Sequence, residues 1–357
     1  MKVLSVITGI GYGHSIREAA ILKYLKKNNF DVVVAGYNNS YEYFEKKYET
    51  LRLLGMNFPE RKFKYSNFKV IFKNIFLPIK HVINYFKLLK LNKIYQPDII
   101  IADLEPIALS IAKSKPHFLV FNYDPEIYEE YVKKSKKKFR FLAYVYNLIY
   151  KKAAKKNYPI IVSSLTGKKP NKNIYYVNPI IREIPKTTNV LRKFKDPILI
   201  SMGGSYFGSE ILDRLLHILP EFEEDFIIFG YKVIGKNQNN IHFMEFKENF
   251  LEYLKASKAI ICLGGHNTLS EAVVLKKPSL VFPVPNYIEQ ILNAYEIEKN
   301  NFGLSKILKH PLDESEIKNA MEEFLNNLEK YQKVLDKKNI KGNGAEQVYK
   351  IIKETTK

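Results

Sequence analysis

The sequence is short of cysteine, of long apolar runs and, over wide stretches, of acidic residues. Its one cysteine, Cys262, stands inside the run Ala259-Ile260-Ile261-Cys262-Leu263. A lone thiol builds neither a disulfide framework nor a cysteine metal site; in such a run it reads as a buried strand residue suited to a reducing cytoplasm. Lysines interrupt every apolar stretch before the ~20 residues that a membrane span requires. The N-terminus passes from a short strand pattern to glycines without the apolar core of a signal peptide. The expectation is a cytoplasmic chain, soluble or peripheral to a membrane.

The missing acids leave a lopsided charge. From Arg61 to Lys93 there are nine Lys or Arg and no Asp or Glu, interleaved with Phe63, Phe68, Phe72, Phe76, Tyr85 and Phe86. From Tyr131 to Arg182 there are fourteen Lys or Arg, again without an acid, and the formal net charge of the chain is +20. Two readings stay open. The lysines are solvated helix faces, or the basic, aromatic surface rests on an anionic membrane, where each near-surface cation contributes about 1 kcal/mol. Nucleic acid is not an expected partner, because no tandem aromatic platform or nucleic-acid motif accompanies the charge.

What is present is a twofold α/β pattern. At 357 residues the chain exceeds one ordinary core and favours two domains. Short β-branched runs at Val3 to Ile7, Asp31 to Ala35, Ile99 to Ala102, Phe118 to Asn122 and Ile160 to Ser163 alternate with stretches of helical length. Prolines then break the pattern between Val177 and Pro197. A second series follows at Ile198 to Ser201, Phe226 to Phe229, Ile241 to Phe243, Ala259 to Leu263 and Ser279 to Phe282. This organisation predicts two tandem Rossmann-like, doubly wound parallel-sheet domains facing a cleft: 1–180, a linker over 181–197, and 198–344, with a helix over 345–357 positioned to pack back on the first domain.

In such sheets ligands bind beyond the carboxyl ends of the strands. Glycine-rich loops follow strands at several of those ends. Thr8-Gly9-Ile10-Gly11-Tyr12-Gly13-His14-Ser15 opens a helix, but it lacks the third glycine of a dinucleotide fingerprint, and no ribose-binding acid follows the second strand. His14 is a candidate general base, since an imidazole at a cleft mouth can be neutral near pH 7 and take a proton from a hydroxyl; a structural histidine at a helix start is the alternative. Ser201-Met202-Gly203-Gly204-Ser205 can cradle a phosphate or simply make a tight turn. In Leu263-Gly264-Gly265-His266-Asn267-Thr268-Leu269-Ser270-Glu271-Ala272, a helix start aims N–H groups at an anion while Glu271, one turn deeper, can accept from ribose hydroxyls. Thr268-Leu269-Ser270-Glu271 also spells a capping box, which would make Glu271 structural. Asp103, Glu105 and Asp124 follow first-domain strands and can orient His14 or bind acceptor hydroxyls; turn and capping roles explain them equally well.

The third loop, with Lys277-Pro278-Ser279-Leu280-Val281-Phe282-Pro283 and Glu289-Gln290-Ile291-Leu292-Asn293-Ala294 behind it, resembles the donor domain of GT-B glycosyltransferases, most closely those of family 28. The resemblance implies an inverting transfer of a hexose or N-acetylhexosamine from a nucleoside diphosphate sugar, UDP first, to a hydroxyl acceptor, a lipid-linked one among the options. It implies that Glu271 binds the donor ribose and that Gly203, Gly204, Ser205, Gly264, Gly265, His266, Asn267 and Thr268 surround the diphosphate. Glu289 and Gln290 would contact the sugar, the backbone at Phe246 and Lys247 the base, and His14 with Gly11 and Gly13 the acceptor. No cofactor and no metal are implied, in keeping with the absence of any Asp-x-Asp triplet. The rival readings are a nucleotide-sugar epimerase on the same scaffold and a non-catalytic basic binding protein.

Overall fold

The computed structural model describes residues 1–56, 72–111, 114–135, 140–168, 173–186, 190, 194, 196–203, 208–229, 239–244 and 250–356, with the side chains of 140–142 left aside. Gly204, Ser205, Phe246 and Lys247 lie outside these residues, as do Phe63 and Phe68.

Two parallel sheets carry the chain. The first contains β1 (Lys2–Ile7), β2 (Asp31–Gly36), β3 (Glu49–Arg52), β4 (Ile99–Asp103), β5 (His117–Phe121), β6 (Ile160–Ser163) and β7 (Ile174–Val177), in the order β3-β2-β1-β4-β5-β6-β7. The second contains β8 (Ile198–Ser201), β9 (Phe226–Phe229), β10 (Ile241–Met244), β11 (Ala259–Cys262), β12 (Ser279–Val281) and β13 (Gly303–Ser305), in the order β10-β9-β8-β11-β12-β13. Helices α1 (Gly13–Lys27), α2 (Asn38–Phe44), α3 (Leu77–Tyr95), α4 (Pro125–Ser135) and α5 (Arg140–Lys155) belong to the first half. Helices α6 (Ser209–Ile218), α7 (Phe250–Ala256), α8 (His266–Val274), α9 (Ile288–Lys299), α10 (Glu314–Asn326) and α11 (Leu328–Asp336) belong to the second. Last, α12 (Gly344–Thr355) crosses back and lays Val348 and Ile352 into the core beside α1.

The central strands are largely apolar because both faces of each sheet are covered. Leu4, Val6, Ile100, Ala102, Leu119 and Phe121 fill one side of the first sheet, and Val3, Ile7, Ile99, Ile101, Phe118 and Val120 the other. The second sheet divides likewise, with Ile198, Ile200, Ala259 and Ile261 opposite Leu199, Ile260 and Cys262. The strands absent from the sequence expectation, β3, β7 and β13, all lie at sheet edges. Edge strands are short and half-solvated, as the exposed ends of β3 show, so they carry no continuous apolar run to read.

The strand orders place the cleft. In the first sheet the direction of winding reverses between β1 and β4, where Ile7 pairs with Asp103. In the second it reverses between β8 and β11, where Ser201 pairs with Cys262. Crevices open at such points, and here the two face each other: Asn267 Nδ2, on the first turn of α8, donates to the Gly13 carbonyl at the start of α1 at 2.6 Å. The seam is also apolar. Ile288, Ile291, Leu292 and Tyr295 of α9 join the first-domain core, and Tyr295 meets Tyr131 of α4 edge to face at 5.4 Å.

Candidate active site

His14 enters the cleft because the loop after β1 turns directly into α1, whose first turn carries it. Its Nδ1 donates to Asp103 Oδ1 at 2.8 Å, which leaves the Nε2 lone pair free. Asp103 is the last residue of β4, and Leu104 behind it adopts φ +48°, left-handed and uncommon for a branched side chain. The same Asp103 oxygen accepts from Arg17 Nη2, which also approaches His14 Nδ1 to 3.1 Å. Burial alone would raise the Asp103 carboxyl; the Arg17 guanidinium, then His14, outweigh it and hold it below its ordinary value. Next along α1, Glu18 is fully buried, accepts from Ser5 Oγ at 2.6 Å and is pushed up to about 8, first by burial and then by the Asp103 charge.

Across the seam, His14 shares a cavity with Glu289 of the second domain, and Leu104, Phe121, Asn122, Tyr123 and Tyr146 complete its lining. Asn122 Nδ2 donates to Glu289 Oε1 at 3.3 Å, so residues of both domains meet one carboxylate. Gln290 turns away: its Oε1 accepts from the Val284 N–H at 2.9 Å and braces its own loop. A polar cavity alongside is lined by Asn122, Asp124, Ser163, Ser164, His266, Asn293 and Glu296, with Ile127 and Leu292 as its apolar part.

The loop after β11 owes its shape to Gly264. This residue sits at φ +90°, and a Cβ there would meet Val281 Cγ1 at 2.9 Å and the Gln290 carbonyl at 3.2 Å. Gly265 is the N-cap of α8 with open space where a side chain would stand, so the helix start is bare. The capping-box alternative for Glu271 fails here: Thr268 lies inside α8 and no side chain caps the helix. Glu271 instead meets Arg182, which donates from Nε to Oε1 at 2.7 Å and from Nη2 to Oε2 at 2.8 Å, with its guanidinium over the Phe250 ring at 5.0 Å. The carboxylate expected to read ribose is thus paired with an arginine. Burial, then Arg17, pulls the His266 imidazole down to about 4, and its Nδ1 faces Asn293 Oδ1 at 3.3 Å.

Two carboxylates expected near His14 are committed elsewhere. Asp124 caps α4, accepting from the Glu126 N–H at 2.9 Å and from Tyr176 Oη at 3.2 Å, and its other oxygen pairs with Lys168 Nζ at 2.5 Å. Glu105 makes no hydrogen bond to His14; burial pushes it up to about 7 against a hydrogen bond from the Ile107 backbone. Gly203, after β8, has φ +71°, and Gly11, Gly13 and the half-buried Thr268 line the two helix starts. Sequence reasoning passed over Arg17, Arg182 and Asn122. For Arg17 a signal existed, since it stands three residues after His14 on one helix face.

Residues 1–329 match the family described as glycosyl transferase family 1. The chain belongs to that family. Among curated proteins, it is 25% identical over 334 residues to an uncharacterized glycosyltransferase of Methanosarcina acetivorans, covering 85% of each chain. It is 30% identical over 216 residues, 53% of this chain and 57% of the other, to a Clostridium botulinum enzyme named as transferring N-acetylglucosamine from UDP to a pyrophosphoryl-undecaprenol acceptor. Among solved structures, a UDP-glucosyltransferase from Polygonum tinctorium superposes with TM-score 0.71 at 15% identity, covering 98% of each chain. A spinosyn rhamnosyltransferase superposes with TM-score 0.69 at 14% identity, covering 98% of this chain and 100% of the other. At these identities the likeness is one of fold, and that fold is GT-B. The protein is thus a glycosyltransferase, of the family described as glycosyl transferase family 1.

Proposed function

We propose that this glycosyltransferase carries out an inverting, metal-independent transfer of a hexose or N-acetylhexosamine from a UDP-sugar to a hydroxyl acceptor borne on a membrane lipid. The observation that carries the reading is the cavity in which His14, hydrogen-bonded to Asp103, faces Glu289 of the donor-side domain beside the bare start of α8.

In this reading His14 Nε2 takes the acceptor proton as the acceptor oxygen attacks the anomeric carbon. The bond from that carbon to the diphosphate breaks, and the nucleoside diphosphate leaves with the electron pair. Asp103 orients the imidazole and stabilises the imidazolium that forms. The N–H groups at the start of α8, near Gly265, His266, Asn267 and Thr268, receive the negative charge that develops on the diphosphate, a task that needs no cation. Glu289 accepts from sugar hydroxyls and Glu271 from the ribose, whose hydroxyls take over the positions held by Arg182. Gly203, just after β8, flanks the diphosphate.

The membrane part rests on α3 and the residues leading into it. Phe72, Ile75, Phe76, Ile79, Val82, Ile83 and Phe86 are exposed, Phe72 at 72%. Within α3, Ile79, Val82, Ile83 and Phe86 recur at three- and four-residue intervals, one apolar stripe, and Phe72, Ile75 and Phe76 precede it. Lys73, Lys80, Lys87, Lys90 and Lys93 accompany them with no acid between, the chemistry of a helix lying in an anionic interface. No helix among the described residues is long and apolar enough to cross a membrane. The test of the catalytic assignment is transfer from UDP-sugars to lipid acceptors by His14→Ala and Asp103→Asn. His14→Ala is expected to keep donor affinity and lose at least ~100-fold in turnover, the usual contribution of a general base; turnover equal to wild type removes His14 from the role.

A further inference from the structure

Asp103 has two partners on α1, and the second has no part in the reaction described above. Arg17 is 1% exposed, its Nη2 donates to the oxygen that accepts from His14, and it approaches His14 Nδ1 to 3.1 Å. A carboxylate bonded to a histidine ordinarily favours the imidazolium. Here a permanent positive charge sits on that same oxygen, close to the ring that would become positive.

We propose that Arg17 is a positioning residue for the transfer: it keeps Asp103 a carboxylate bonded to His14 while opposing protonation of the imidazole, so that His14 waits as a free base. The inference rests on His14 being the base. The spacing makes the arrangement possible, since residues three apart on α1 share a face and both reach the end of β4. The remaining charged neighbours do not substitute for Arg17. Glu18 on the same helix bonds Ser5 and, raised to about 8, is protonated at neutral pH; His266 of α8, drawn down to about 4, is uncharged; Glu289 of α9 faces His14 from across the cavity and is held by Asn122. The cluster of His14, Asp103, Arg17 and Glu18 is thus neutral before the acceptor gives up its proton and carries one positive charge afterwards. Without Arg17, the unopposed Asp103 carboxylate would draw a proton onto His14.

The test needs no acceptor. The imidazole signals of the full chain, with its seven histidines labelled, are followed by NMR against pH, and the His14 signal is assigned by its loss in His14→Gln. Arg17→Met is expected to move the His14 midpoint upward by about one pH unit or more, a tenfold rise in proton affinity. Arg17→Lys, which keeps the charge, should stay near wild type, and Asp103→Asn should move the midpoint downward. If Arg17→Met does not fold, Arg17→Gln keeps a hydrogen bond to Asp103 without the charge and carries the same expectation. A folded Met or Gln variant titrating with wild type overturns the proposal, as does a shift of the same sign in Asp103→Asn. Failure of the base assignment is separate: His14→Ala that still transfers sugar refutes that role whatever the titration gives.

Discussion

Removing Arg182 should expose how the buried carboxylate of α8 is held. Glu271 is 1% exposed and gives both oxygens to Arg182, whose side chain is 26% exposed. The pair is therefore asymmetric. In Arg182→Ala the carboxylate stays buried without a partner, a situation that costs about 3–5 kcal/mol when a buried pair is broken. In Glu271→Ala the arginine can swing toward water, so the cost should be smaller, about 1–2 kcal/mol. The double variant should be more stable than Arg182→Ala alone, because no charge is then stranded. Urea unfolding followed by circular dichroism suits a chain without tryptophan. A loss below about 1 kcal/mol in Arg182→Ala, or a double variant no more stable than Arg182→Ala, would refute the reasoning.

Further outcomes follow from the same geometry. Burial pushes the Glu18 carboxyl up to about 8 from the 4.5 of the free group, so the native state holds that proton more tightly and loses stability as pH rises between those values. Glu18→Gln should match wild type near pH 4 and exceed it at pH 8 by a few kcal/mol in chemical unfolding; equal stability at pH 8 would mean that the carboxyl is solvated. For the α3 stripe, sedimentation with anionic vesicles should fall with added salt and fall further in Phe76→Ser/Phe86→Ser. Indifference to lipid charge would reduce the lysines to a solvated face.

The fold was legible where burial is two-sided. β1, β4, β8 and β11 are apolar on both faces and flank the two crevices, so the sequence pattern located the cleft as well as the sheets. β3, β7 and β13 were not legible because an edge strand answers to its neighbour's hydrogen bonds more than to its own composition. In the site, the glycine loops and His14 stood out because their chemistry is local. Arg17 and Arg182 did not, since each has meaning only through a carboxylate 86 or 89 residues away. Asp103 ends β4, the strand at the reversal point, whereas Asp124 follows β5, and that distinction is topological.

The central claim is that a nucleotide-sugar donor binds at the start of α8, with Glu271 on its ribose and His14 reserved for the acceptor. The most direct measurement is calorimetric titration of nucleoside diphosphates and nucleotide sugars into wild type, Glu271→Gln and His14→Ala. The account predicts that a uridine diphosphate sugar binds wild type and His14→Ala alike, and binds Glu271→Gln about tenfold or more weakly, the loss of about 1.4 kcal/mol or more expected for a hydrogen bond to a charged group. Equal binding by Glu271→Gln, or no binding of any nucleotide to the wild type, would contradict it.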